Sequence, residues 1–307
     1  MKRLLVTGRH GFVGSTLARM VAVEPELAQW SIADVPEAFE ILDAAATREL
    51  VVQARPDAVI HLAAQSNVPA SFSDPELTLR VNLLGTLNLL QALKAARFEG
   101  QMLFVGTGDV YGAVAETDLP VAETLAPQPR NPYAVSKLAA EALCRQWTFT
   151  DRMTIVLARP FNHIGPGQGD QFVVGAIARQ IARIRSGLQP PELELGDIDV
   201  TRDFSDVRDV VRAYFALLAG GSSGEVYNIC SGRERSVRSI VEALLEHAGV
   251  DVEIRVDPGR TRRAEQRRMC GNPAKLTRAT GWHAATPIER SLADILDEWD
   301  RKVAVHA

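Results

Sequence analysis

The turn "TGRHGFVG", residues 7–14, directly follows a short apolar run and precedes a segment with helical periodicity. Glycines at 8, 11 and 14 permit a tight bend, a close approach of the backbone to a ligand's phosphates, and close packing of the helix on the strand. The unpaired N–H groups of the first helical turn face the same place. Three glycines also occur in ordinary turns, so the position after a first strand is the stronger part of the signal. We predict a strand–turn–helix unit that binds the diphosphate of a dinucleotide.

The first half of the chain alternates between apolar runs typical of buried strands and longer segments typical of helices. Strands joined by helical crossovers pair in parallel and carry helices on both faces of the sheet. We therefore predict a Rossmann-like, doubly wound α/β domain over residues 1–160, with ligands at the carboxyl ends of its strands. The predicted strands are Arg3–Thr7, Asp57–Leu62, Gln101–Thr107 and Thr154–Ala158, and the predicted helices are Gly11–Val23, Ser73–Phe98 and Asn131–Thr150.

The alternation loosens after residue 160, where helices are separated by short strands and by loops rich in glycine and proline. We predict a smaller α/β lobe over residues 161–307 that caps the first domain, with an approximate boundary and interleaved lobes. Its predicted helices are Gln171–Ser186, Val207–Leu218, Val237–Ala248 and Ile288–Lys302.

Composition narrows the class of protein. The 307 residues are 46% hydrophobic and 23% charged, which is ordinary for a globular protein, and the net charge of −4 argues against nucleic acid as a partner. No apolar run approaches the length that spans a membrane. Three cysteines, far apart and odd in number, suggest neither a disulfide framework nor a metal site. We expect a cytoplasmic protein without a metal.

Two residues near the glycine-rich turn bear on the choice of dinucleotide. Asp34 lies 20 residues after Gly14, where an acid binds the ribose 2′-hydroxyl of NAD(H). Arg9, inside the turn, is instead suited to the 2′-phosphate of NADP(H). The sequence leaves both cofactors open.

A second motif lies in "RNPYAVSKLAAEAL", residues 130–143. Asn131 and Pro132 suit the start of a helix, so Tyr133 and Lys137, four residues apart, share one face. An ammonium beside a phenol lowers the pKa of the phenol, which then exchanges a proton with a substrate oxygen more readily. Thr107, at the end of a predicted strand, delivers a hydroxyl to the same edge. A tyrosine and lysine at this spacing also occur by chance, and Thr107 alone reads as a turn residue.

Taken together, these segments resemble the extended short-chain dehydrogenase/reductases that act on nucleotide-linked sugars. The similarity covers nearly the whole chain, in order, through "TGRHGFVG", "HLAAQSNVPASF", "VNLLGTLNLL", "GTGDVYG", "NPYAVSK", "ARPFNHIGPGQ", "RDFSDVRDVV", "YNICSG" and "TGWHAATPIERSL".

The resemblance implies a role for each matching residue. Tyr133 is implied to donate a proton, Lys137 to hold the nicotinamide ribose and tune Tyr133, and Thr107 to bind the sugar oxygen beside Gly108. The implied cofactor contacts are Gly8, Gly11, Phe12 and Val13 at the pyrophosphate, Asp43 at the adenine, and Leu62, Ala63 and Ala64 along the cofactor. The implied contacts to the GDP part are Asn162, Arg202, Arg262 and Glu265.

Within the family, "HLAAQS", "FNHIGPGQ" and "RRAE" are most similar to members that reduce the C4 ketone of GDP-4-keto-6-deoxy-D-mannose. The alternative is 4,6-dehydration of GDP-mannose, or another epimerase or dehydratase reaction, which needs a further acid–base group. The resembling dehydratases have a glutamate two residues before the tyrosine of "VYG", where this chain has Asp109, one methylene shorter. A cofactor-binding regulator without turnover is a third reading, because fold does not imply function.

Two surfaces are also predicted. The segment "GRTRRAEQRR", residues 259–268, has five arginines, which suit bidentate contacts to a diphosphate, although we expect Arg267 and Arg268 to be structural or exposed. The helix after Ser73 is apolar on nearly every face, so it needs a second burial partner. The family's two-helix interface implies a homodimer through residues 73–98 and 131–150, with a tetramer left open.

Overall fold

Eleven strands and eleven α-helices are found in residues 1–257 and 266–305, which the computed structural model describes. The strands are β1 (Lys2–Thr7), β2 (Trp30–Ile32), β3 (Ala58–His61), β4 (Gln101–Val105), β5 (Thr154–Pro160), β6 (Asn162–Ile164), β7 (Glu192–Leu195), β8 (Thr201–Asp206), β9 (Val226–Ile229), β10 (Glu234–Ser236) and β11 (Glu253–Val256). The helices are α1 (Phe12–Val23), α2 (Ala44–Ala54), α3 (Val68–Ser73), α4 (Pro75–Leu79), α5 (Gly85–Ala95), α6 (Pro132–Thr150), α7 (Val173–Arg185), α8 (Val207–Gly220), α9 (Val237–Ala248), α10 (Ala274–Thr280) and α11 (Ile288–Val305).

The central sheet has six parallel strands in the order β2-β1-β3-β4-β5-β9. From β1 the chain moves outward to β2 and then returns to pair β3 on the other side of β1. The gap between β1 and β3 is therefore the point at which the strand order reverses, where α/β sheets bind ligands. The predicted Rossmann-like fold class is confirmed, and one of the six strands, β9, comes from beyond residue 160.

Alternate side chains of the strands fill two apolar cores, one on each face of the sheet. On β1, Leu4 and Val6 are buried with residues of α1, α8 and α10, while Leu5 is buried with residues of α2, α5 and α6. Burial on both faces explains why the strands read as continuous apolar runs rather than as alternating ones.

Part of the chain after β5 builds a further apolar core, separate from the two on the faces of the central sheet. The sheet β10-β8-β6 and the pair β11-β7 pack with α7, α9 and α11 around apolar side chains such as Ile177, Leu244 and Leu292. Asp203 of β8, which is fully buried, accepts hydrogen bonds from the backbone N–H groups of Ser231, Gly232 and Gly271. This carboxylate ties β8 to the loops that follow β9 and that precede α10.

Most predicted elements agree with the structure to within a few residues, but the prediction of one long helix over residues 73–98 was wrong. That segment comprises α4, a π-helical turn at Arg80–Leu84, and α5. Asp74 accepts a hydrogen bond from the N–H of Leu77, so a new helix begins there. Inside the π-helical turn, the side chain of Asn82 bonds the backbone of Gln65 in both directions. Helix α2 and strand β2 were not predicted.

Candidate active site

The glycine-rich turn packs against the end of β3, and two of its glycines are required by contact. Gly8 has φ +73°, and a Cβ there would lie 2.7 Å from the backbone nitrogen of Ala63. A Cβ at Gly14 would lie 2.4 Å from the carbonyl oxygen of Gly8. Gly11 precedes α1 and supplies no side-chain cap, so the turn and the first-turn amides of Phe12 and Val13 form a cradle of backbone groups. The cradle fits a pyrophosphate.

The predicted cofactor residues fall into two places. Leu62 and Ala63 lie beside the turn, because their N–H groups donate to the carbonyl and the hydroxyl of Thr7, and Ala64 follows them. Asp43 instead caps α2, where its Oδ1 accepts from the N–H groups of residues 45 and 46 at 2.9 and 3.0 Å. A contact between Asp43 and an adenine stays a prediction.

Arg9 and Asp34 form an ion pair across the turn, with Nη1 and Oδ1 3.1 Å apart. The Asp34 side chain is 96% exposed and that of Arg9 is 30% exposed. Arg9, which suits a 2′-phosphate, and Asp34, which suits a 2′-hydroxyl, are thus paired with each other. The structure of the turn is therefore compatible with either cofactor.

Thr107 and Tyr133 lie close together at the carboxyl edge of the sheet, near enough for the hydroxyl of Thr107 to lower the pKa of Tyr133. Thr107 follows β4 and is 8% exposed, and its Oγ1 accepts from the N–H of Asp109. Tyr133 lies in the first turn of α6, which Asn131 caps by accepting from the N–H of Ala134 at 2.7 Å. The structure thus brings together the two groups that were predicted to share one substrate oxygen.

The prediction that the pKa of Tyr133 is lowered was wrong. Loss of hydration raises the pKa of Tyr133 well above its usual range, and the negative charge of Asp109 raises it further. The neighbouring hydroxyl of Thr107 lowers the pKa but does not offset burial. Tyr133 is therefore protonated at neutral pH and suited to donate a proton.

Lys137 lies one helical turn beyond Tyr133 and is 3% exposed. Its Nζ lies 4.7 Å from the centroid of the Phe104 ring. Burial lowers the pKa of Lys137 to about 8, while the neighbouring Cys144 and Glu141 raise it. Lys137 therefore keeps its positive charge at neutral pH, although burial deprives the ammonium of favourable hydration free energy.

A chain of hydrogen bonds connects the glycine-rich turn to the helix of Tyr133. It runs from Thr7 through the imidazole of His61, then Thr86, the carbonyl and amide of Asn82, and Ser136, to the carbonyl of Tyr133, and its links are 2.6–2.9 Å long. Thr86 donates its only hydroxyl proton to Asn82, so it accepts from Nε2 of His61, and Nδ1 accepts from Thr7. Burial, and then the charge of Lys137, lower the pKa of His61 to about 3, which agrees with a neutral ring.

The sequence did not predict this series of hydrogen bonds. The signal that was available is a polar residue inside an otherwise apolar segment, as with Asn82 and Thr86 in "VNLLGT". Such residues are buried only with partners, and the partners come from distant parts of the chain.

The predicted substrate residues lie on the neighbouring strands β6 and β8. Asn162 begins β6 and is exposed, and its Cα partner is Phe204, two residues after Arg202. His163 stacks on Phe12 with 6.0 Å between ring centroids, so this strand adjoins the glycine-rich turn. A Cβ at Gly108 would lie 3.0 Å from the Phe161 ring.

The arginine-rich segment is only partly described. Arg262 and Glu265 lie outside the described residues, so their predicted contacts to GDP stay predictions. Arg267 pairs with Asp197, and Arg268 pairs with Glu116 and Glu234. Both side chains are substantially exposed, as expected.

Residues 1–257 and 266–305 contain neither a metal-binding group nor a membrane-spanning helix. No group of three histidine, cysteine or acidic side chains there could hold a metal ion. Over the same residues, every helix is too short or too polar to cross a bilayer.

The fold and the paired hydroxyls at the sheet edge define a dinucleotide-binding protein of the short-chain dehydrogenase/reductase class. Residues 37–295 match the sequence profile of the family described as GDP-mannose 4,6 dehydratase. The chain therefore belongs to this family.

Individual relatives are similar over almost the whole length. A GDP-6-deoxy-D-mannose reductase of Pseudomonas aeruginosa is 53% identical over 302 residues, 98% of each chain. The solved structure of RMD from the same organism, complexed with NADPH, superposes with a TM-score of 0.93 at 52% identity, covering 98% of this chain and 100% of that one. A UDP-glucose 4-epimerase of Thermus thermophilus in complex with NAD gives a TM-score of 0.84 at 30% identity, covering 97% and 98%.

The first prediction concerns the cost of burying Lys137. The pKa of Lys137 in the folded chain, about 8, lies below its ordinary value of 10.5. Between these values the unfolded chain binds a proton that the folded chain has lost, so the contribution of Lys137 to the free energy of unfolding rises with pH. Lys137→Met is expected to raise the free energy of unfolding at pH 7 by up to about 3 kcal/mol, and this gain shrinks as the pH rises from 8 to 10.5.

Urea unfolding of the wild type and the variant at pH 7 and pH 10 measures this difference. Lys94→Met is the matched control, because Lys94 is exposed and pairs with Asp151 at the surface. Its effect should stay within about 1 kcal/mol at either pH. A Lys137→Met variant that is less stable than the wild type at pH 7 would contradict the prediction.

The second prediction concerns the Arg9–Asp34 pair. Arg9→Ala should weaken binding of 2′,5′-ADP about tenfold or more, because a guanidinium-to-phosphate contact is charge-assisted, and should leave AMP binding nearly unchanged. Asp34→Asn should tighten 2′,5′-ADP, since it removes a repelling carboxylate. Isothermal titration with the two nucleotides checks both expectations, and equal losses for both nucleotides in Arg9→Ala would refute them.

Proposed function

We propose that this chain reduces the C4 ketone of GDP-4-keto-6-deoxy-D-mannose to GDP-D-rhamnose with NADPH or NADH. The observation that carries the proposal is the placement of Thr107, after β4, beside Tyr133, in the first turn of α6, in surroundings that keep the phenol protonated. A ketone reductase needs a proton donor at this place, whereas an enzyme that first oxidises its substrate needs a base. The 53% identity to a GDP-6-deoxy-D-mannose reductase supports the same substrate class.

The reaction needs a hydride and a proton on the two atoms of one carbonyl. The reduced nicotinamide, when bound, supplies the hydride to C4. Tyr133 donates its phenolic proton to the carbonyl oxygen, and the hydroxyl of Thr107 donates a hydrogen bond to the same oxygen. The raised pKa of Tyr133 keeps the proton available until charge develops on that oxygen.

Lys137 has two parts in this mechanism. Its ammonium holds the ribose next to the nicotinamide, and its positive charge stabilises the phenolate that remains after Tyr133 has given up its proton. Because Lys137 is almost fully buried, little water screens this charge.

The remaining predicted residues are proposed to bind the two nucleotides. Gly8, Gly11, Phe12 and Val13 hold the pyrophosphate of the cofactor, with Leu62, Ala63 and Ala64 along it and Asp43 at its adenine. We propose that residues 161–307 form the lobe that binds the nucleotide sugar. The contacts to the substrate come from Gly108 of the first domain and from Asn162, Arg202, Arg262 and Glu265 of this lobe.

Dehydration of GDP-mannose is the second candidate, because the family profile carries that description and because Asp109 lies within electrostatic reach of Tyr133. Dehydration also requires removal of the proton on C5. Asp109 is one methylene shorter than the glutamate of the resembling dehydratases, and a misplacement of about 1 Å costs about a hundredfold in rate. Reduction is therefore favoured.

We further propose a homodimer through α4 to α6. Exposed apolar side chains concentrate there: Phe72, Leu77, Leu79, Leu84, Val135 and Phe149 are 37–75% exposed. The opposite sides of α5 and α6 are buried against the central sheet, so these outer faces are available to a second copy. We place the protein in the cytoplasm and assign it no nucleic-acid partner, in keeping with its net charge of −4.

The function is tested by mixing the purified protein with GDP-4-keto-6-deoxymannose and, in separate cuvettes, NADPH or NADH. Keto-sugar-dependent loss of reduced nicotinamide is expected, and the faster cuvette identifies the preferred cofactor. Tyr133→Phe should lower kcat by about a hundredfold or more, since the proton donor is lost. The control is Tyr214→Phe, because the buried Tyr214 hydroxyl has no hydrogen-bond partner among the described residues.

Two results would overturn the assignment. A Tyr133→Phe variant with full activity would remove Tyr133 from the mechanism. If neither cofactor is consumed while GDP-mannose alone is converted to the keto sugar, the protein is a dehydratase and Asp109 serves as its base.

The dimer is tested by light scattering after size-exclusion chromatography. The wild type should have twice the mass of the 33.5 kDa chain, and Leu84→Glu with Val135→Glu should have the mass of one chain, because two carboxylates would be buried. Val23→Glu, at an exposed position on α1, should leave the mass unchanged. A wild-type monomer would contradict the interface, and a fourfold mass would indicate a tetramer.

A further inference from the structure

Arg159 of β5 and Glu141 of α6 form a buried ion pair with two parallel hydrogen bonds. Nε of Arg159 lies 2.8 Å from Oε2 of Glu141, and Nη2 lies 2.7 Å from Oε1. Both side chains are 5% exposed. Burying two charges costs hydration that their attraction does not reliably repay, so stability alone is a weak explanation for this pair.

The pair touches both segments that carry the reacting groups. Glu141 lies on the helix of Tyr133 and Lys137, one turn beyond the lysine. The guanidinium carbon of Arg159 lies 4.9 Å from the centroid of the Tyr111 ring. Tyr111 ends the short 3₁₀ turn that begins directly after Thr107. We call Tyr111, Glu141 and Arg159 the guanidinium clamp.

Two further observations place the clamp beside the end of β4 and against β9. A Cβ at Gly106, the residue before Thr107, would lie 3.7 Å from Oε2 of Glu141. The hydroxyl of Tyr111 donates to Oδ1 of Asn228 on β9 at 2.7 Å. The turn after Thr107 is therefore fixed between the Arg159 guanidinium and β9.

We propose that the guanidinium clamp is a positioning device that sets the hydroxyl of Thr107 beside that of Tyr133. The proposal rests on the function proposed above. Thr107 follows a strand and Tyr133 lies on a helix, so nothing local fixes the distance between their hydroxyls. Arg159 contacts the helix through Glu141 and the turn through Tyr111, which makes one planar side chain the spacer between them.

The clamp also affects the charge of Lys137. Glu141 is a negative charge on the same helix face and favours the ammonium, against the burial that lowers the pKa of Lys137. The other groups that face Lys137 are the thiol of Cys144 on its own helix, the neutral His61 of β3, and the Phe104 ring of β4. Loss of the Glu141 charge should therefore move the alkaline limb of the kcat profile to lower pH.

The decisive variant replaces both charges with apolar side chains, Glu141→Leu with Arg159→Met. Such a replacement of a buried pair often leaves stability unchanged or higher, so it separates a structural role from a positioning role. We expect a melting temperature close to that of the wild type, NADP+ binding within about twofold, and a fall in kcat of about tenfold or more with little change in KM. Arg145→Met on the same helix is the control and should keep wild-type kcat.

A folded double variant that keeps kcat within twofold would overturn the proposal. If the double variant does not fold, Arg159→Lys decides, because it keeps the charge and loses the planar fork. We expect it to lower kcat without moving the alkaline limb, because Glu141 keeps its charge, and an Arg159→Lys variant with wild-type kcat would equally overturn the proposal.

A crystal structure of whichever variant folds tests the positioning without turnover. The distance between the Thr107 and Tyr133 hydroxyls should differ from that in the wild type, and an unchanged distance would refute the clamp. A wild type that never consumes NADPH with the keto sugar contradicts the proposed function, whereas an active wild type with an equally active double variant contradicts only the positioning role.

Discussion

Every strand pairing in the central sheet is parallel, and this places the carboxyl ends of β1, β3, β4 and β5 at one edge. The glycine-rich turn leaves β1 there, Ala63 follows β3, and Thr107 follows β4. Strand β5 continues past Pro160 into the second lobe at Asn162. The glycine-rich turn, the hydroxyls proposed to react and the start of the proposed substrate lobe are therefore neighbours because of strand direction, before any side chain is considered.

The parts of this arrangement that sequence could predict depend on contacts within a few residues. The turn of Gly8 to Gly14, the cap at Asn131 and the helical spacing of Tyr133 and Lys137 are each set by local chemistry. Their placement at the sheet edge then followed from the alternation of strands and helices. For the same reason, the predicted helix bounds after residue 160 agree closely with the structure.

The errors arose where distant residues decide. The helix predicted over 73–98 is interrupted where Asn82 bonds Gln65, 17 residues away, and Ser136, 54 residues away. The pKa of Tyr133 was predicted from its neighbour on the helix, yet burial by the rest of the protein and the charge of Asp109 determine its direction. The Arg159–Glu141 pair joins two elements and has no signature in either segment alone.

Buried polar groups are concentrated on the side of the sheet that carries Tyr133. His61, Asn82, Lys137, Glu141 and Arg159 all lie there, and each is at most 4% exposed. An apolar core at these positions would avoid the cost of removing three charges from water. The protein keeps them because a ketone reductase needs fixed hydroxyls and a fixed positive charge that reorganise little when the proton moves. On this argument the active site is stabilised by the two apolar cores around it, and its own polar groups contribute geometry rather than folding free energy.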